Sequence, residues 1–453
     1  MVIENSLMKS VVRNTAYNNL SKLELIAKLR QSELKIKKFE QDQSRVNTIY
    51  YITRSLSKEL DLDNLLQLLM DEVKNALQAD RCTVFLVDES KNELWSHIGH
   101  GLEKNEIRFP IDKGIAGHVA KLGEVVNIND CYSDPRFNPE IDRKTGYVTQ
   151  NMLAFPMRNN LMEVIGVFQV LNKRSGEFSD ADVRLLEAIA PIAAVQIENA
   201  QLYEEIRQTF DSLVLTLSRI IDARDPLTAG HSHRIMLFAD AIAREAKWDF
   251  SQREVLRIAA LLHDLGKIGV RESILTKKGK LTEEEFEHLK YHVVHTRTFL
   301  RQIHFSGKFA KVPEIAATHH ERMDGSGYPD GLKGKEIPLG GRILAISDIF
   351  DALTSKRHYR ERMNFSKVMK MLENSVNMEI DEYFFNLFMN ISLEKIITIL
   401  EIANKEKIDK MDLSNLRKYS LNDLSKALKS NKKKTGWVEL FFRYYQKNYL
   451  KES

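Results

Sequence analysis

Apolar residues recur in alternating steps of four and three along two stretches of the chain. The first seam has two polar positions among its eight, which are Leu25, Leu29, Ser32, Ile36, Phe39, Gln43, Val46 and Tyr50. The second seam is apolar at nine of its eleven positions, which are Leu185, Ile189, Ile192, Gln196, Asn199, Tyr203, Ile206, Phe210, Leu213, Leu217 and Ile220. This spacing predicts helices that pair with their copies in a homodimer, the second as a coiled-coil connection between domains. One long helix packed on its own domain is the alternative.

Between and after the seams the pattern predicts two kinds of domain. The segments CTVFLVD, MLAFPM and VIGVFQVLNK are rich in β-branched and aromatic residues, which indicates an α+β domain. From Pro226 to about Asn390 the pattern is helical without a convincing strand, with candidate helices Ser232–Lys247, Ser251–His263, Thr282–Ile303, Leu339–Ser355 and Phe365–Ser375. We therefore expect an N-terminal helix (1–60), an α+β domain (61–200), a connecting helix (185–224), an all-α domain (225–390) and a helical C-terminal extension (391–453).

The composition excludes several classes of protein. The chain has 453 residues, with 67 basic and 63 acidic side chains, and this near balance gives no sign of nucleic-acid binding. No apolar run approaches the roughly 18 residues of a membrane span, and the N-terminus lacks the features of a secretory signal. Two distant cysteines, Cys82 and Cys131, fit a reducing compartment. We therefore expect a cytoplasmic protein.

Positive charge is concentrated at the C-terminal end. Residues 391–453 carry 14 Lys and Arg against 8 Asp and Glu. Lys429 and Lys432 to Lys434 favour a solvated linker before a final aromatic helix. Two alternatives are contact with an anionic membrane surface and packing of the aromatic residues on the preceding domain. Those residues are Trp437, Phe441, Phe442, Tyr444 and Tyr445.

Histidines are concentrated in the all-α domain, where nine of the 13 lie between His231 and His320. In IAALLHDLGKIG, His263 and Asp264 follow an apolar helix, and we expect Gly266 to break it and expose both side chains at a cavity floor. Mixed imidazole and carboxylate ligands suit divalent transition metals, and a carboxylate can bridge two ions. The set predicts at least two metal ions. Its further members are His292, His319, His320 and Asp348.

These segments resemble the HD-GYP family, a branch of the HD phosphohydrolases. The resemblance rests on DPLTAGHSHR (225–234), HDLGKIG (263–269), LTEEEFEHLKYH (281–292), HHERMDGSGYPDGL (319–332) and IFDALTSKRHYR (349–360). It implies hydrolysis of cyclic di-GMP to linear pGpG, and on to GMP, by a water shared between two metal ions. His288, His292 and His295 share one helical face, so spacing leaves all three open. The family position selects His292.

Carried over by position, the resemblance implies a role for each residue of the site. His263, Asp264 and Lys267 would be catalytic, with Lys267 at a phosphate. The metal ligands would be His231, His263, Asp264, His292, His319, His320 and Asp348. A substrate loop that lets backbone approach a ligand closely, with a tyrosine stacked on a base, would contain Gly325, Gly327, Tyr328 and Pro329. Arg357 and Arg360 would clamp the second phosphate or a guanine edge.

One departure from the family pattern bears on the number of metal ions. Family members with three ions carry Glu four residues before the first histidine, and this chain has Leu227 there. We therefore expect two divalent ions, Fe or Mn. Two alternatives to a cyclic di-GMP phosphodiesterase stay open. One is a non-catalytic module that binds the dinucleotide, and the other is an HD hydrolase acting on another cyclic dinucleotide such as cyclic GMP-AMP.

The segment from about Leu62 to Asn199 resembles a GAF domain. The resemblance rests on DCYSDPRFNPEIDRKTGYVTQNMLAFPM (130–157) and on four residues similar to a motif of cyclic-nucleotide-binding GAF domains. Those four are Asn172, Lys173, Phe178 and Asp182, while Val183 stands where the motif has Glu. The resemblance implies binding of cAMP or cGMP and a signal relayed along the connecting helix. A dimerisation module without a ligand is the alternative.

Overall fold

The chain falls into two units that divide between Gln208 and Thr209. The computed structural model describes residues 22–96, 107–224, 230–277, 279–355, 363–402, 408–430 and 436–446. Each unit has a hydrophobic core of its own.

The first unit is an antiparallel sheet with helices. Its helices are α1 (Lys22–Leu56), α2 (Leu62–Ala76), α3 (Gly114–Leu122), α4 (Glu140–Thr145) and the first part of α5 (Asp180–Arg224). Its strands are β1 (Ala79–Asp88), β2 (Glu93–Ser96), β3 (Ile107–Pro110), β4 (Val126–Ile128), β5 (Met152–Arg158) and β6 (Val164–Lys173). The strands lie in the order β3-β2-β1-β6-β5-β4, and each neighbouring pair is antiparallel.

The alternation along β1 explains why the core of this unit has two layers. Cys82, Val84 and Leu86 belong to the cluster that includes α2 and α5, whereas Phe85 belongs to a second cluster with α3. Successive side chains of a strand point to opposite faces of the sheet, so both faces are covered. The predicted α+β architecture of this segment is confirmed.

The second unit is helical. After the end of α5 it contains α6 (His231–Glu245), α7 (Phe250–Leu262), α8 (Glu272–Leu275), α9 (Glu283–Gln302), α10 (Val312–Ala317), α11 (Leu339–Thr354), α12 (Phe365–Ser375), α13 (Glu382–Met389), α14 (Leu393–Leu400), α15 (Lys410–Leu416), α16 (Leu421–Lys429) and α17 (Gly436–Gln446). Within its described residues, β pairing is limited to two isolated bridges. The candidate helices correspond to α6, α7, α9, α11 and α12. Thr282 and Glu285 form the expected capping box of α9.

The C-terminal helices pack into the same core as the rest of this unit. Phe441 is fully buried, and its ring centroid lies 4.9 Å from that of Phe365. Tyr445 donates a hydrogen bond of 2.7 Å to the carbonyl of Met363. The aromatic residues thus follow the packing alternative, since side chains this deeply buried belong to a hydrophobic core. Lys432 to Lys434 lie outside the described residues.

The second seam does not face a single partner along its length. Ile189 is fully buried in the core of the first unit, with Leu185 and Ile192 packed against that core. The expectation of a dimer contact is therefore wrong for this part, because the helix covers its own sheet. Four later positions are 51% to 61% exposed, and these are Tyr203, Ile206, Leu213 and Ile220.

The first seam lies on α1 and presents apolar side chains to solvent. Five of its members are 58% to 65% exposed, namely Leu29, Ile36, Phe39, Val46 and Tyr50. Among the described residues, no helix combines the length and the apolar character that a membrane crossing requires.

Candidate metal centre

Seven side chains from five parts of the helical unit meet at one position. His231 begins α6, His263 and Asp264 follow α7, His292 lies on α9, His319 and His320 follow α10, and Asp348 lies on α11. The residues include two groups, and within each group the ligand atoms all lie within 4.8 Å of one another. The first group is His231, His263 and Asp264, and the second is His292, His319 and His320. The structure thus brings together all seven predicted metal ligands.

Asp264 lies between the two groups. Its Oδ2 is 3.4 Å from Nε2 of His263 in the first group, and its Oδ1 is 3.4 Å from Nε2 of His292 in the second. One carboxylate with an oxygen near each group is the arrangement that a ligand bridging two ions requires.

Asp348 has a similar position on the other side of the cluster. Its Oδ1 lies 3.4 Å from Nε2 of His231, and its Oδ2 lies 3.9 Å from Nδ1 of His320. The two carboxylates and two histidine groups have the composition of a two-ion site. Leu227, on which the expected number of ions rests, lies outside the described residues.

The ring orientations of three histidines fit metal ligation. Nδ1 of His263, His292 and His319 lies 2.6 to 2.8 Å from the backbone carbonyl three residues earlier. Because a carbonyl only accepts, Nδ1 carries the proton and the neutral ring has its lone pair on Nε2. These three Nε2 atoms are buried and have no hydrogen-bond partner among the described residues. Divalent ions would satisfy nitrogens that are otherwise costly to bury, so the residues fit the implied metal.

The electrostatic surroundings favour the donor forms of most ligands. Burial lowers the pKa of His292, and it lowers the pKa of His319 well below the ordinary value. Burial alone would raise the pKa of Asp264, but Lys267 and His263 hold it well below the usual range. Burial would likewise lower the pKa of His263, yet Asp264 outweighs it and raises that pKa to about 9.

Gly266 has a role different from the one expected. Helix α7 ends one residue before His263, and a Cβ at Gly266 would lie 1.8 Å from the carbonyl oxygen of His292. The amide of Gly266 donates to the hydroxyl of Thr296, which donates to the carbonyl of His263. The expectation that Gly266 exposes His263 and Asp264 is wrong, since both are at most 4% exposed. The glycine instead permits close contact with α9.

A buried ion pair next to His231 was not found by sequence reasoning. Asp351 is fully buried and accepts hydrogen bonds from Nε and Nη2 of Arg234 at 2.6 and 2.9 Å. A further partner is Nδ1 of His231, at 2.7 Å. A carboxylate bonded to the second nitrogen of a histidine ligand orients the ring. The available signal was a second carboxylate three residues after Asp348 on an apolar helix.

Lys267 lies at the cluster, as predicted, with Nζ 2.7 Å from Oδ2 of Asp264. Its side chain is 15% exposed, so the ammonium lies at the edge of the buried region. Arg357 and Arg360, the predicted clamp, lie outside the described residues.

The predicted substrate loop lies beside His320. The ring centroids of Tyr328 and His320 are 4.9 Å apart, and the Tyr328–Pro329 peptide is cis. Gly325 has a φ of +87°, which favours glycine. A Cβ at Gly327 would lie 2.6 Å from the His320 carbonyl oxygen. The close approach that Gly327 permits is thus to the backbone at His320, a predicted metal ligand.

Glu321 connects this loop to the histidine pair, and sequence reasoning did not identify it. The side chain is 2% exposed. Its two oxygens accept hydrogen bonds from the backbone N–H groups of Asp330, at 2.7 Å, and Leu332, at 2.9 Å. Since Glu321 directly follows His320, the loop and the ligand pair share one rigid attachment.

Comparison with known proteins identifies both units. Residues 216–383 match the model of the HD domain, and residues 61–197 match the model of the GAF domain. The chain contains a GAF domain followed by an HD domain. Both resemblances found in the sequence are confirmed at this level.

Curated relatives match part of the chain. The chain is 41% identical over 175 residues to "3'3'-cGAMP-specific phosphodiesterase 3" of Vibrio cholerae, which covers 39% of this chain and 37% of the relative. It is 35% identical over 208 residues to "Cyclic di-GMP phosphodiesterase" of the same organism, covering 43% of this chain and 42% of the relative. The chain thus spans about two fifths of the length of these relatives.

Solved structures that are similar to part of the chain include GAF domains. The GAF domain of an Acinetobacter phosphoenolpyruvate-protein phosphotransferase is 21% identical, with a TM-score of 0.32, and the match covers 36% of this chain and 98% of that chain.

The four candidate ligand residues of the GAF domain contact each other and their neighbours. The side chain of Asn172 accepts from the amide of Gln150 at 2.7 Å and donates to the carbonyl of Val148 at 2.8 Å. Nζ of Lys173 lies 2.7 Å from Oδ1 of Asp182. Phe178 is buried in the core. These contacts join β6, α5 and the loop before β5, and cyclic-nucleotide binding stays a prediction.

Proposed function

We propose that the HD domain hydrolyses a phosphodiester bond of a cyclic dinucleotide, with cyclic di-GMP as the first substrate to test. The observation that supports this best is the set of buried Nε2 atoms of His263, His292 and His319 beside Asp264. Such a donor set fits divalent ions, which activate water and bind phosphate oxygens. The two named relatives support the class of substrate.

The charge of the cluster explains why the reaction needs metal ions. Asp264 and Asp348 place two carboxylates at the site, and Lys267 supplies one ammonium within contact distance. With the pKa of His263 raised as well, these charges nearly cancel, so an anionic phosphodiester would gain little net attraction from these side chains. Two divalent ions held by the seven ligands would make the local field positive.

The chain's own groups would then orient the substrate. Lys267 would bind a non-bridging oxygen, and Tyr328 beside His320 would offer its ring to a base. Water attacks phosphorus, the bond from phosphorus to the 3' oxygen breaks, and the 3' hydroxyl leaves with a proton. The first product would be the linear dinucleotide, with a second cleavage giving the mononucleotide.

The second candidate substrate is 3'3'-cyclic GMP-AMP, which the name of a 41% identical relative favours. It differs from cyclic di-GMP only in one base, so the metal ligands would serve both. The ratio of kcat/KM for the two substrates is the measurement that separates them.

A panel assay tests the proposed function. Full-length protein loaded with Mn²⁺ or Fe²⁺ is incubated with cyclic di-GMP, 3'3'-cyclic GMP-AMP and cyclic di-AMP, and the products are separated by chromatography. We expect hydrolysis that His263→Ala and Asp264→Ala each reduce at least 10³-fold, since each change removes a metal ligand. His304→Ala, an exposed histidine of the same unit, is the matched control and should retain activity.

Turnover in His263→Ala would contradict the assigned site. If the metal-loaded wild type cleaves none of the three while binding one of them, the protein is the non-catalytic dinucleotide-binding module. Metal analysis of anaerobically purified protein should give two ions per chain, and three would contradict that number.

We also propose a homodimer through the exposed apolar positions of α1. Phe39 and its neighbours along the first seam keep more than half of their surface in water, which a second copy would cover. Light scattering should give twice the mass of one chain, and Phe39→Glu should reduce the measured mass to that of a single chain. Lys38→Glu, also exposed on α1, is the control and should leave the dimer unchanged.

We further propose that the GAF domain regulates the rate of hydrolysis by the HD domain. Calorimetry of the full-length protein with cAMP and with cGMP tests it, and heat from either should be accompanied by a change in hydrolysis rate. The absence of heat with both would favour the dimerisation module.

A further inference from the structure

The last turn of α5 contacts the segment that follows His263 and Asp264. The guanidinium of Arg224 donates to the carbonyl of Ile268 at 2.5 Å and to that of Val270 at 2.8 Å. Ile268 lies in the short turn Leu265–Gly269, which follows Asp264 and contains Lys267, and Val270 is the residue directly after that turn. One side chain of the connecting helix thus fixes the exit of this turn through two hydrogen bonds.

The same turn of α5 contacts the start of α6. Asp222, which is 8% exposed, accepts a hydrogen bond of 2.7 Å from the hydroxyl of Ser232. Ser232 is fully buried and directly follows His231. A hydrogen bond to a buried carboxylate is among the stronger neutral-to-charged contacts in proteins. Asp222 therefore restrains the backbone that presents His231 to the cluster.

The end of α5 is itself fixed to the HD domain. Asp211 pairs with Arg257 of α7 at 2.5 Å, and Val214 and Ile221 are buried in the core of the second unit. Because α7 leads directly to His263, these contacts fix the end of α5 close to the cluster. The last turn of α5 can therefore restrain two separate parts of the cluster.

We propose that Asp222 and Arg224 are positioning residues of the metal centre. Arg224 sets the turn that carries Asp264 and Lys267, and Asp222 sets the helix start that carries His231. The inference rests on the proposed function, because it makes the geometry of that same cluster depend on the connecting helix. Helix α5 begins at Asp180, so these two residues are the points at which a displacement of α5 acts on the cluster.

Metal binding by the full-length protein tests the proposal without reference to substrate. Protein stripped with chelator is titrated with Mn²⁺ alone by calorimetry, and the absorption spectrum is recorded after loading with Co²⁺. Asp222→Ala and Arg224→Ala should each weaken Mn²⁺ binding about 10-fold or more and change the Co²⁺ spectrum, since a ligand is less well held. Arg207→Ala is the matched control on the same helix, because Arg207 pairs with Glu204 and is 54% exposed. It should behave as wild type.

Conservative variants separate positioning from loss of folding. Asp222→Asn keeps an oxygen that accepts from Ser232 and should restore most of the Mn²⁺ affinity, while Arg224→Lys keeps one donor and should restore part. If either alanine variant fails to fold by circular dichroism, these two take its place, and Arg224→Lys should then still weaken Mn²⁺ binding severalfold. Wild-type Mn²⁺ affinity and Co²⁺ spectrum in folded Asp222→Ala and Arg224→Ala would overturn the inference.

Kinetics distinguish failure of this inference from failure of the proposed function. Where the wild type hydrolyses a cyclic dinucleotide, both alanine variants should lower kcat about 10-fold or more with little change in KM at saturating Mn²⁺. A wild type without turnover would refute the proposed function alone, because the metal titration still decides whether Asp222 and Arg224 position the ligands.

Discussion

Replacing Asp351 by asparagine tests the buried network behind His231. The carboxylate is fully buried and accepts hydrogen bonds from Arg234, His231 and Ser355, the last at 3.2 Å. Asparagine has nearly the same size, but one of its two polar atoms becomes a donor. That amide group would then face another donor from Arg234 or His231.

The expected loss of stability follows from the charge that remains buried in the variant. Arg234 is only 6% exposed, and with Asp351 neutral its positive charge has lost its carboxylate partner. Breaking a buried ion pair by changing one partner costs about 3–5 kcal/mol. His231 also loses its charged acceptor, so metal affinity should fall by about 10- to 100-fold, the range seen when the partner of a histidine ligand is changed.

Urea unfolding of metal-free protein measures the first effect, and Mn²⁺ calorimetry measures the second. Asp240→Asn is the matched control on α6, where Asp240 pairs with Arg244 at 2.7 Å and Arg253 at 3.2 Å. Its side chain is 23% exposed and that of Arg244 is 63% exposed. The exposed pair with Arg244 contributes about 1 kcal/mol or less, and the control should bind Mn²⁺ as wild type does.

A loss below about 1 kcal/mol in Asp351→Asn would show that Arg234 finds water or another acceptor. Unchanged Mn²⁺ affinity would show that Asp351 does not orient His231. Either result would refute this account of the network.

Three further predictions follow from other parts of the structure. Glu321→Gln should raise KM for the cyclic dinucleotide severalfold at unchanged metal content, because it loosens the substrate loop; kinetics with metal analysis test this, and a loss of metal would contradict it. Phe441→Ala should lower the free energy of unfolding by about 3–5 kcal/mol in urea, whereas an effect below about 1 kcal/mol would contradict its place in the core. Asp182→Asn should destabilise the GAF domain by about 2 kcal/mol above pH 5. Burial alone would raise the pKa of Asp182, but hydrogen bonds from Lys173 and Ser179 lower it, so the stabilisation is lost as the pH falls through that lowered pKa; unfolding curves across pH test this, and a difference that does not shrink as the pH falls would contradict it.

The sequence predicted the members of the cluster but not the residues that hold them. His231 and Asp351 are 120 positions apart and contact through side chains, a relation that no period or spacing records. Glu321 could be placed in a motif, but its partners are backbone amides whose position depends on the folded loop. The order of the motifs identifies residues that would touch a ligand, whereas Asp351 and Glu321 act through another residue.

The glycines and the two heptad seams show the same limit, because a sequence pattern does not record which residues come into contact. Gly266 and Gly327 mark close approach, but only the fold shows that the neighbours are the backbones at His292 and His320. The second seam has one spacing throughout, yet Ile189 faces its own core and Ile206 faces solvent. A heptad pattern records which face of a helix is apolar and cannot specify what covers it.

The placement of each histidine along its helix explains why the network behind His231 exists. His263, His292 and His319 each have a carbonyl three residues earlier that fixes Nδ1, so the local chain sets their orientation. His231 is the first residue of α6, and no preceding turn of that helix can supply an acceptor. Asp351, a side chain from α11, takes this role, and Arg234 offsets its buried charge. The orientation of the histidine at the helix start therefore depends on residues distant in sequence, and its neighbour Ser232 is also bonded to Asp222 of α5.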